Sequence, residues 1–323
     1  MSIAERDGDM AEDLIVLAIG GNSLIRDERH RTVQDQWVLA RETCHHIAEI
    51  IAAGHRVVVT HGNGPQVGFI IRRSELARHE LHEVPLDSCD ADTQGAIGYM
   101  IQQSLENEFT RRRLAKLAVS VVTQVEVWAD DPAFARPGKP IGSFMDEATA
   151  RARAAREGWT VLEDAGRGWR RVVASPEPVA IVELEAIRML VEAGFVVTAV
   201  GGGGIPVVRD AAGELHGVEA VIDKDAASSL LATALGATRF VVSTAVPHVC
   251  LNYRAPDERP IHRMTVAEAN RYLSKGQFGE GSMAPKIRSV VRYLERGGRE
   301  AIITCPDQLE LAVAGQAGTV IVP

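Results

Sequence analysis

At 323 residues, with 46% hydrophobic and 24% charged side chains, the chain can bury a large core as one α/β domain or as two lobes, and disorder is excluded. Lys and Arg total 35 against 43 Asp and Glu, for a net charge of −8, so no global basic field exists to hold nucleic acid or an anionic membrane. An anionic ligand must be met by locally placed cations and backbone N–H groups.

In chain order, residues 1–13 read as a polar, acidic tail, whereas a secretory signal needs a basic start and an apolar run. No later stretch approaches the roughly 20 apolar residues of a membrane span, so a soluble, cytoplasmic protein is expected. From residue 14 onward, short β-branched runs alternate with helical patterns: LIVLAIGG (14–21), an amphipathic stretch over 36–53, then HRVVVTHGNG (55–64). LAVSVVTQVEV (117–127), FVVTAVGGGG (195–204), RFVVSTAV (239–246), AIITC (301–305) and GTVIV (318–322) follow. This alternation predicts parallel strands, buried on both faces and joined by crossover helices. Over about 128–173 it breaks down into a segment rich in Pro, Gly, Arg and Trp, too long for an ordinary connection, which predicts an inserted subdomain or lid. Cys44, Cys89, Cys250 and Cys305 are far apart, form no CxxC pair and sit in apolar or periodic stretches. They read as reduced core thiols, with no zinc site.

Four glycine-rich segments border predicted strands: Gly20-Gly21-Asn22-Ser23, His61-Gly62-Asn63-Gly64-Pro65, Gly201–Gly204 and Gly279–Ser282. Glycine lets the backbone approach a phosphate, a following helix aims unpaired N–H groups at it, and ligands of open α/β sheets lie beyond the strand ends. None of the four is a GxxxxGK[ST] loop, GGNS does not satisfy GxGxxG, and Gly201–Gly204 runs into the extended IPVV, where a dinucleotide fold needs a helix. The pattern points to phosphate and away from NAD.

Phosphoryl transfer asks chiefly for positioning and for cations near the transferring group. Lysines are scarce, and two lie at predicted helix starts, where the dipole disfavours a cation unless an anion is bound: Lys224 in VIDKDAAS and Lys286 in GSMAPKIRS, beside the helix-opening Pro285. Lys139 lies in RPGKPIG of the suspected lid. For each, a plain exposed lysine is the alternative. Asp225 is placed to hold two lysines apart and oriented, and Asp223 reads equally well as an N-cap. His61 is read as structural, since a carboxylate-type acceptor oxygen needs no deprotonation at neutral pH; the adjacent His45 and His46 are read as surface or packing residues.

Taken together, AIGGNSL, VVTHGNGPQVG, ADTQGAIGYM, DDPAF, GKPIG, EDAGRGWRRVV, AVGGGGIPV, GVEAVIDKDAAS, GSMAPKI and the closing GTVIV resemble carbamate kinases, from about Leu14 to the C-terminus. EDAGRGWRRVV and TQGAIGYM separate that family from other amino-acid kinases, many of which carry a Lys where this chain has Ala18-Ile19. The resemblance implies an open, mainly parallel sheet sandwiched by helices, the amino-acid kinase fold. Its acceptor half would span about 14–200, including the lid, and its nucleotide half about 201–323. It implies a homodimer, and reversible transfer between ATP with Mg2+ and carbamate, giving ADP and carbamoyl phosphate, often run toward ATP. Gly20, Gly21, Asn22, Gly62, Asn63, Gly64, Gly202 and Gly203 would surround phosphoryl and acceptor. Lys139 would reach in from the lid, Lys224 and Lys286 would neutralise charge, and Asp225 would organise them; Ser243, Thr244 and Met283 would line the nucleotide site. The chain departs from the family's usual residues at Trp128, Ala129, Ser143, Met145, Ala174, Glu177, Pro247, His248 and Glu280. Two other readings are therefore carried: a kinase of this fold acting on another small carboxylate, carbamate or phosphonate, and a nucleotide-binding regulator without turnover.

Overall fold

The structure, a computed structural model, describes residues 13–21, 24, 25, 27, 29–164 and 166–323; the expected polar tail lies, up to residue 12, outside them. β1 (Leu14–Ile19) leads through a Thr32/Asp35 capping box into α1 (Val33–Ala52), which starts three residues before its amphipathic pattern, and then β2 (Arg56–His61). α2 (Gly64–Ala77), α3 (Leu86–Arg112), β3 (Ala118–Ser120) and β4 (Gln124–Glu126) follow. The irregular region folds as α4 (Pro132–Ala135), β5 (Lys139–Met145), α5 (Glu147–Glu157), β6 (Thr160–Glu163) and β7 (Trp169–Val173). Next come β8 (Ala180–Ile181), α6 (Leu184–Glu192), β9 (Val196–Thr198), a 3₁₀ turn at Gly201–Gly203, β10 (Ile205–Arg209), β11 (Leu215–Gly217) and α7 (Lys224–Leu235). The chain closes with β12 (Arg239–Ser243), β13 (Val249–Leu251), β14 (Arg259–Ile261), β15 (Arg263–Thr265), α8 (Val266–Ser274), α9 (Met283–Glu295), β16 (Glu300–Thr304), α10 (Leu309–Val313) and β17 (Thr319–Val322).

Eight strands form the main sheet in the order β15-β17-β16-β12-β1-β2-β9-β3. Every neighbouring pair is parallel except β16 and β17. β1 is buried at all six positions because both faces of the sheet are covered. Alternation along the strand divides its side chains between two cores. Leu14, Val16 and Ala18 pack with Ile187 of α6, Leu231 of α7 and Ile287 of α9; Ile15, Leu17 and Ile19 pack with Ile47 of α1, Ile101 of α3 and Leu309 of α10. Helices therefore cover both faces of the sheet, which is sandwiched as expected.

Two departures from the sequence reading matter. The run 117–127, read as one strand, is two: β3 ends the main sheet, while β4 joins a separate sheet in the order β11-β10-β4-β8. Between them, Gln94 of α3 binds Thr123 on both sides, accepting from its N–H at 2.7 Å and donating to its carbonyl at 3.0 Å. This satisfies the backbone where the chain leaves the sheet. Two of the four cysteines read as core thiols, Cys250 and Cys305, are only partly buried; all four are free. The 128–173 segment carries its own antiparallel sheet, β5-β7-β6, and is pinned to α2 and α3 by a small core of Val67, Ile71, Leu86, Cys89, Ile141 and Val173.

Candidate functional site

The carboxyl ends of β1, β2 and β12 bring together residues far apart in sequence. Lys224 Nζ donates to the Ile19 carbonyl at 3.1 Å, and Gly62 N–H donates to the same carbonyl at 3.1 Å. A Cβ added at Gly62 would lie 3.7 Å from both Gly21 N and Lys224 Cδ, and one at Gly20 would lie 3.0 Å from the Ser243 carbonyl. Gly20, Gly21, Gly62, Lys224 and Ser243 thus share one small region, and the glycines leave its backbone uncovered. Asn22 lies outside the described residues. Gly64, the first residue of α2, has nothing within 4 Å of where its Cβ would be.

The lysines are held by two aspartates at the start of α7. Asp225, 3% exposed, binds Lys286 Nζ at 2.8 Å through Oδ2 and faces Lys224 Nζ at 3.2 Å through Oδ1. Burial alone would raise the Asp225 carboxyl, but the two ammonium groups overturn this and hold it at about 2. Burial lowers the Lys224 ammonium, with Asp225 opposing. Asp223 caps α7, accepting from the N–H groups of Asp225 at 3.0 Å and Ala226 at 3.3 Å, while its Oδ2 accepts from Lys139 Nζ at 3.0 Å. Reading Asp223 as an N-cap captured its first task; its second, tying β5 to α7, was not legible, because Lys139 lies 84 residues away.

On the other side, Ser243 Oγ and Thr304 Oγ1, at adjacent ends of β12 and β16, are buried hydroxyls without a hydrogen-bond partner among the described residues. Thr244 N–H donates to the Thr304 carbonyl at 2.8 Å, and Met283 opens α9 a turn before Lys286. Orphaned buried hydroxyls are what a polar ligand satisfies. Thr304 was missed in the sequence; its one cue is its place at the end of the strand beside the one that ends in Ser243.

Gly202 and Gly203 are buried in a left-handed turn. A Cβ at Gly202 would fall 2.1 Å from Asn63 Nδ2, and one at Gly203 would fall 2.5 Å from the Ile222 carbonyl. Both therefore serve close packing, Gly202 against Asn63 and Gly203 against Ile222. Val200, which precedes them, holds φ of 53°, a strained value for a β-branched residue, with its N–H fixed to Thr123 Oγ1 at 3.0 Å. His61 is 1% exposed and its Nδ1 donates to the Gly62 carbonyl at 3.1 Å; burial, with Lys224 nearby, lowers it to about 4, so the ring is neutral. His46 binds Glu310 at 2.9 Å, and His45 is an exposed neighbour of Glu49 and Glu108.

Asp90, Thr93 and Gln94, on one buried face of α3, were not singled out as site residues. Asn63 Nδ2 donates to Asp90 Oδ1 at 2.8 Å and to Thr93 Oγ1 at 2.9 Å. Burial pushes the Asp90 carboxyl up to about 7, against the donation from Asn63. The rim departures have partners of their own: the rings of His248 and His262 meet edge to face at 4.7 Å, and Glu280 binds Arg288 at 2.8 Å. A cavity of about 820 Å³ opens between the inserted segment and α2, walled in part by Ile71, Arg153, Trp159 and Arg171, with none of the three lysines in its lining.

Residues 13–305 match the model of the amino acid kinase family. The chain is 48% identical to the carbamate kinase-like protein YahI of Escherichia coli, covering 96% of this chain and 99% of that one. It is 46% identical to the carbamate kinase of Thermococcus kodakarensis, covering 95% and 98%. The solved carbamate kinase of Giardia lamblia bound to AMP-PNP superposes with a TM-score of 0.91 at 39% identity, covering 97% and 99%. With likeness running the length of each chain, the protein belongs to the amino acid kinase family and, within it, to the carbamate kinases.

Proposed function

We infer that the chain is a carbamate kinase, catalysing reversible phosphoryl transfer between ATP and carbamate and working toward ATP. The observation that carries this reading is the Lys224–Asp225–Lys286 array at the edge of the glycine loops. Three ammonium groups, counting Lys139, face two carboxylates, which leaves the array net positive and suited to an anionic phosphoryl group. In the ATP-forming direction a terminal oxygen of ADP attacks the phosphorus of carbamoyl phosphate, the bond from phosphorus to the carbamoyl oxygen breaks, and carbamate leaves. No proton moves, so no base is needed, which suits a neutral, buried His61. Lys224 and Lys286 stabilise the charge on the equatorial oxygens, Asp225 fixes their separation, and Lys139 closes over the acceptor from the inserted segment, acting as a lid.

Gly20, Gly21, Asn22, Gly62, Asn63 and Gly64 are assigned to the acceptor and phosphoryl group, with Gly202 backing Asn63 and Gly203 packed on Ile222 beside it. Ser243, Thr244 and Met283, joined by Thr304, are assigned to the nucleotide. The acceptor half runs to about residue 200 and the nucleotide half from 201. Mg2+ is proposed to enter with the nucleotide, held by phosphate oxygens and water. Asp223 and Asp225 are engaged by lysines, and among the described residues the one cluster of three metal-ligand side chains, Asp210, Glu214 and His216, is exposed around the β10–β11 hairpin. A homodimer is proposed along the edge strand β3, where Leu117, Val122 and Tyr99 of α3 are more than half exposed; sedimentation as a monomer would remove it. Among the described residues no helix is long and apolar enough to cross a membrane, in keeping with a cytoplasmic site of action.

The test is a coupled assay for ATP from ADP, Mg2+ and carbamoyl phosphate. Turnover is expected, and its absence at every Mg2+ concentration would refute the reading. A panel of small carboxylates with ADP release as readout then fixes the acceptor.

A further inference from the structure

The segment Asp90-Ala91-Asp92-Thr93-Gln94 of α3 contributes no group to the phosphate chemistry, yet three of its side chains are buried and grip the two loops that border the acceptor. Gln94 Nε2 donates to the Gly201 carbonyl at 2.9 Å, holding the glycine turn. Asp90 and Thr93 hold Asn63, and their hydrogen bonds fix which way its amide faces. Thr93 Oγ1 donates its own proton to the Asp90 carbonyl at 2.9 Å, so toward Asn63 it can only accept. Ionised above about pH 7, Asp90 Oδ1 likewise only accepts. A flipped amide would set its carbonyl oxygen against two acceptors, so Nδ2 is confined to this side. Gly202, whose Cβ would fall 2.1 Å from Nδ2, closes the remaining space. Asn63 Oδ1 is left on the side turned away from Asp90 and Thr93. No hydrogen bond among the described residues reaches it, and although Asn63 caps α2, its side chain makes no capping bond.

We propose that Asp90 and Thr93 are positioning residues for specificity: they lock the Asn63 amide so that Oδ1 meets the acceptor as a hydrogen-bond acceptor, matched to the N–H of a carbamoyl group and unmatched by a methyl group in the same place. This rests on the reading of carbamoyl phosphate as substrate. A site built to bind an N–H rejects the isostere that lacks it, because the buried polar group is left unpaired.

The experiment measures kcat/KM for ATP formation at about pH 8, where Asp90 is ionised, from ADP with carbamoyl phosphate and with acetyl phosphate, in which a methyl group replaces the amino group. Wild type, Asp90→Asn, Thr93→Val and Thr93→Ser are compared. In Asp90→Asn, residue 90 can donate as well as accept, so the Asn63 amide is free to turn, and the carbamoyl-to-acetyl ratio is expected to fall by about tenfold or more. Thr93→Val is expected to lower the ratio by about threefold or more, and Thr93→Ser to retain it. Loss of packing alone would lower both rates by one factor and leave the ratio unchanged. A ratio in Asp90→Asn within twofold of wild type overturns the proposal, as does a wild type that does not discriminate. If Asp90→Asn fails to fold, the ratio in Thr93→Val decides by its own threshold. A wild type without turnover on carbamoyl phosphate refutes the functional reading, and this proposal with it.

Discussion

Lys224 and Lys286 share one buried carboxylate, and this sharing sets what their removal should do. Lys224→Ala and Lys286→Ala are each expected to lower kcat by about tenfold to a thousandfold, the range for losing one preorganised electrostatic stabiliser. Wild-type rates in either variant would show that the charge acts elsewhere. Two other buried groups couple to pH with opposite signs. His61, lowered to about 4, binds its proton more weakly folded than unfolded, so stability falls as pH drops from about 6.5 to about 4. Asp90, raised to about 7, binds its proton more tightly folded, so stability rises as pH drops from about 7 toward 3.8. Each is worth on the order of 3 kcal/mol, and in the wild type they largely offset. Asp90→Asn should therefore unmask the histidine and lose roughly 3 kcal/mol between pH 7 and pH 4 relative to wild type, read from urea midpoints at the two pH values. Equal pH dependence in both proteins would show that Asp90 titrates normally.

The elements divide by how far their instructions are local. α1 carries its own start in Thr32 and Asp35, a local capping box that apolar spacing alone places three residues late, and α7 carries its start in Asp223, legible as an N-cap. β3 and β4 were not separable, because the break between them is made by Gln94, from a helix 29 residues away. The glycines show the same contrast. Gly202 has φ of 72° and its Cβ site is filled by Asn63, so Gly202→Ala is expected to cost about 1–3 kcal/mol. Gly64 lies in the first turn of α2 with open space around it, so Gly64→Ala is expected to be neutral or to stabilise by up to about 1 kcal/mol through the unfolded chain. Urea unfolding of the two variants checks the pair; equal losses would mean that the turn is not packed as described. Nothing in the one-letter sequence distinguishes these two glycines.

At the scale of the molecule, the 128–173 insertion meets the kinase core through the small core on α2 and α3 and through the Lys139–Asp223 ion pair. Lys139→Ala is expected to raise the KM for carbamoyl phosphate severalfold while changing that for ADP little, if its proposed place over the acceptor holds; the reverse pattern would move it to the nucleotide. Asp223→Ala should reproduce that effect and also cost about 1 kcal/mol for the lost cap. By itself the sequence determined the α/β class, marked the strand-ending glycine loops and the irregular 128–173 segment, and singled out three scarce lysines, because periodicity, turn chemistry and the scarcity of lysine are written locally. Only the tertiary structure decided that Asp225 serves two lysines, that Asp223 reaches Lys139, that Thr304 stands beside Ser243, and that Asp90 and Thr93 fix the Asn63 amide. Apart from the adjacent Lys224 and Asp225, those relations join residues from 27 to 84 positions apart, and contacts at that range are set by how helices and strands stack, which no local pattern encodes.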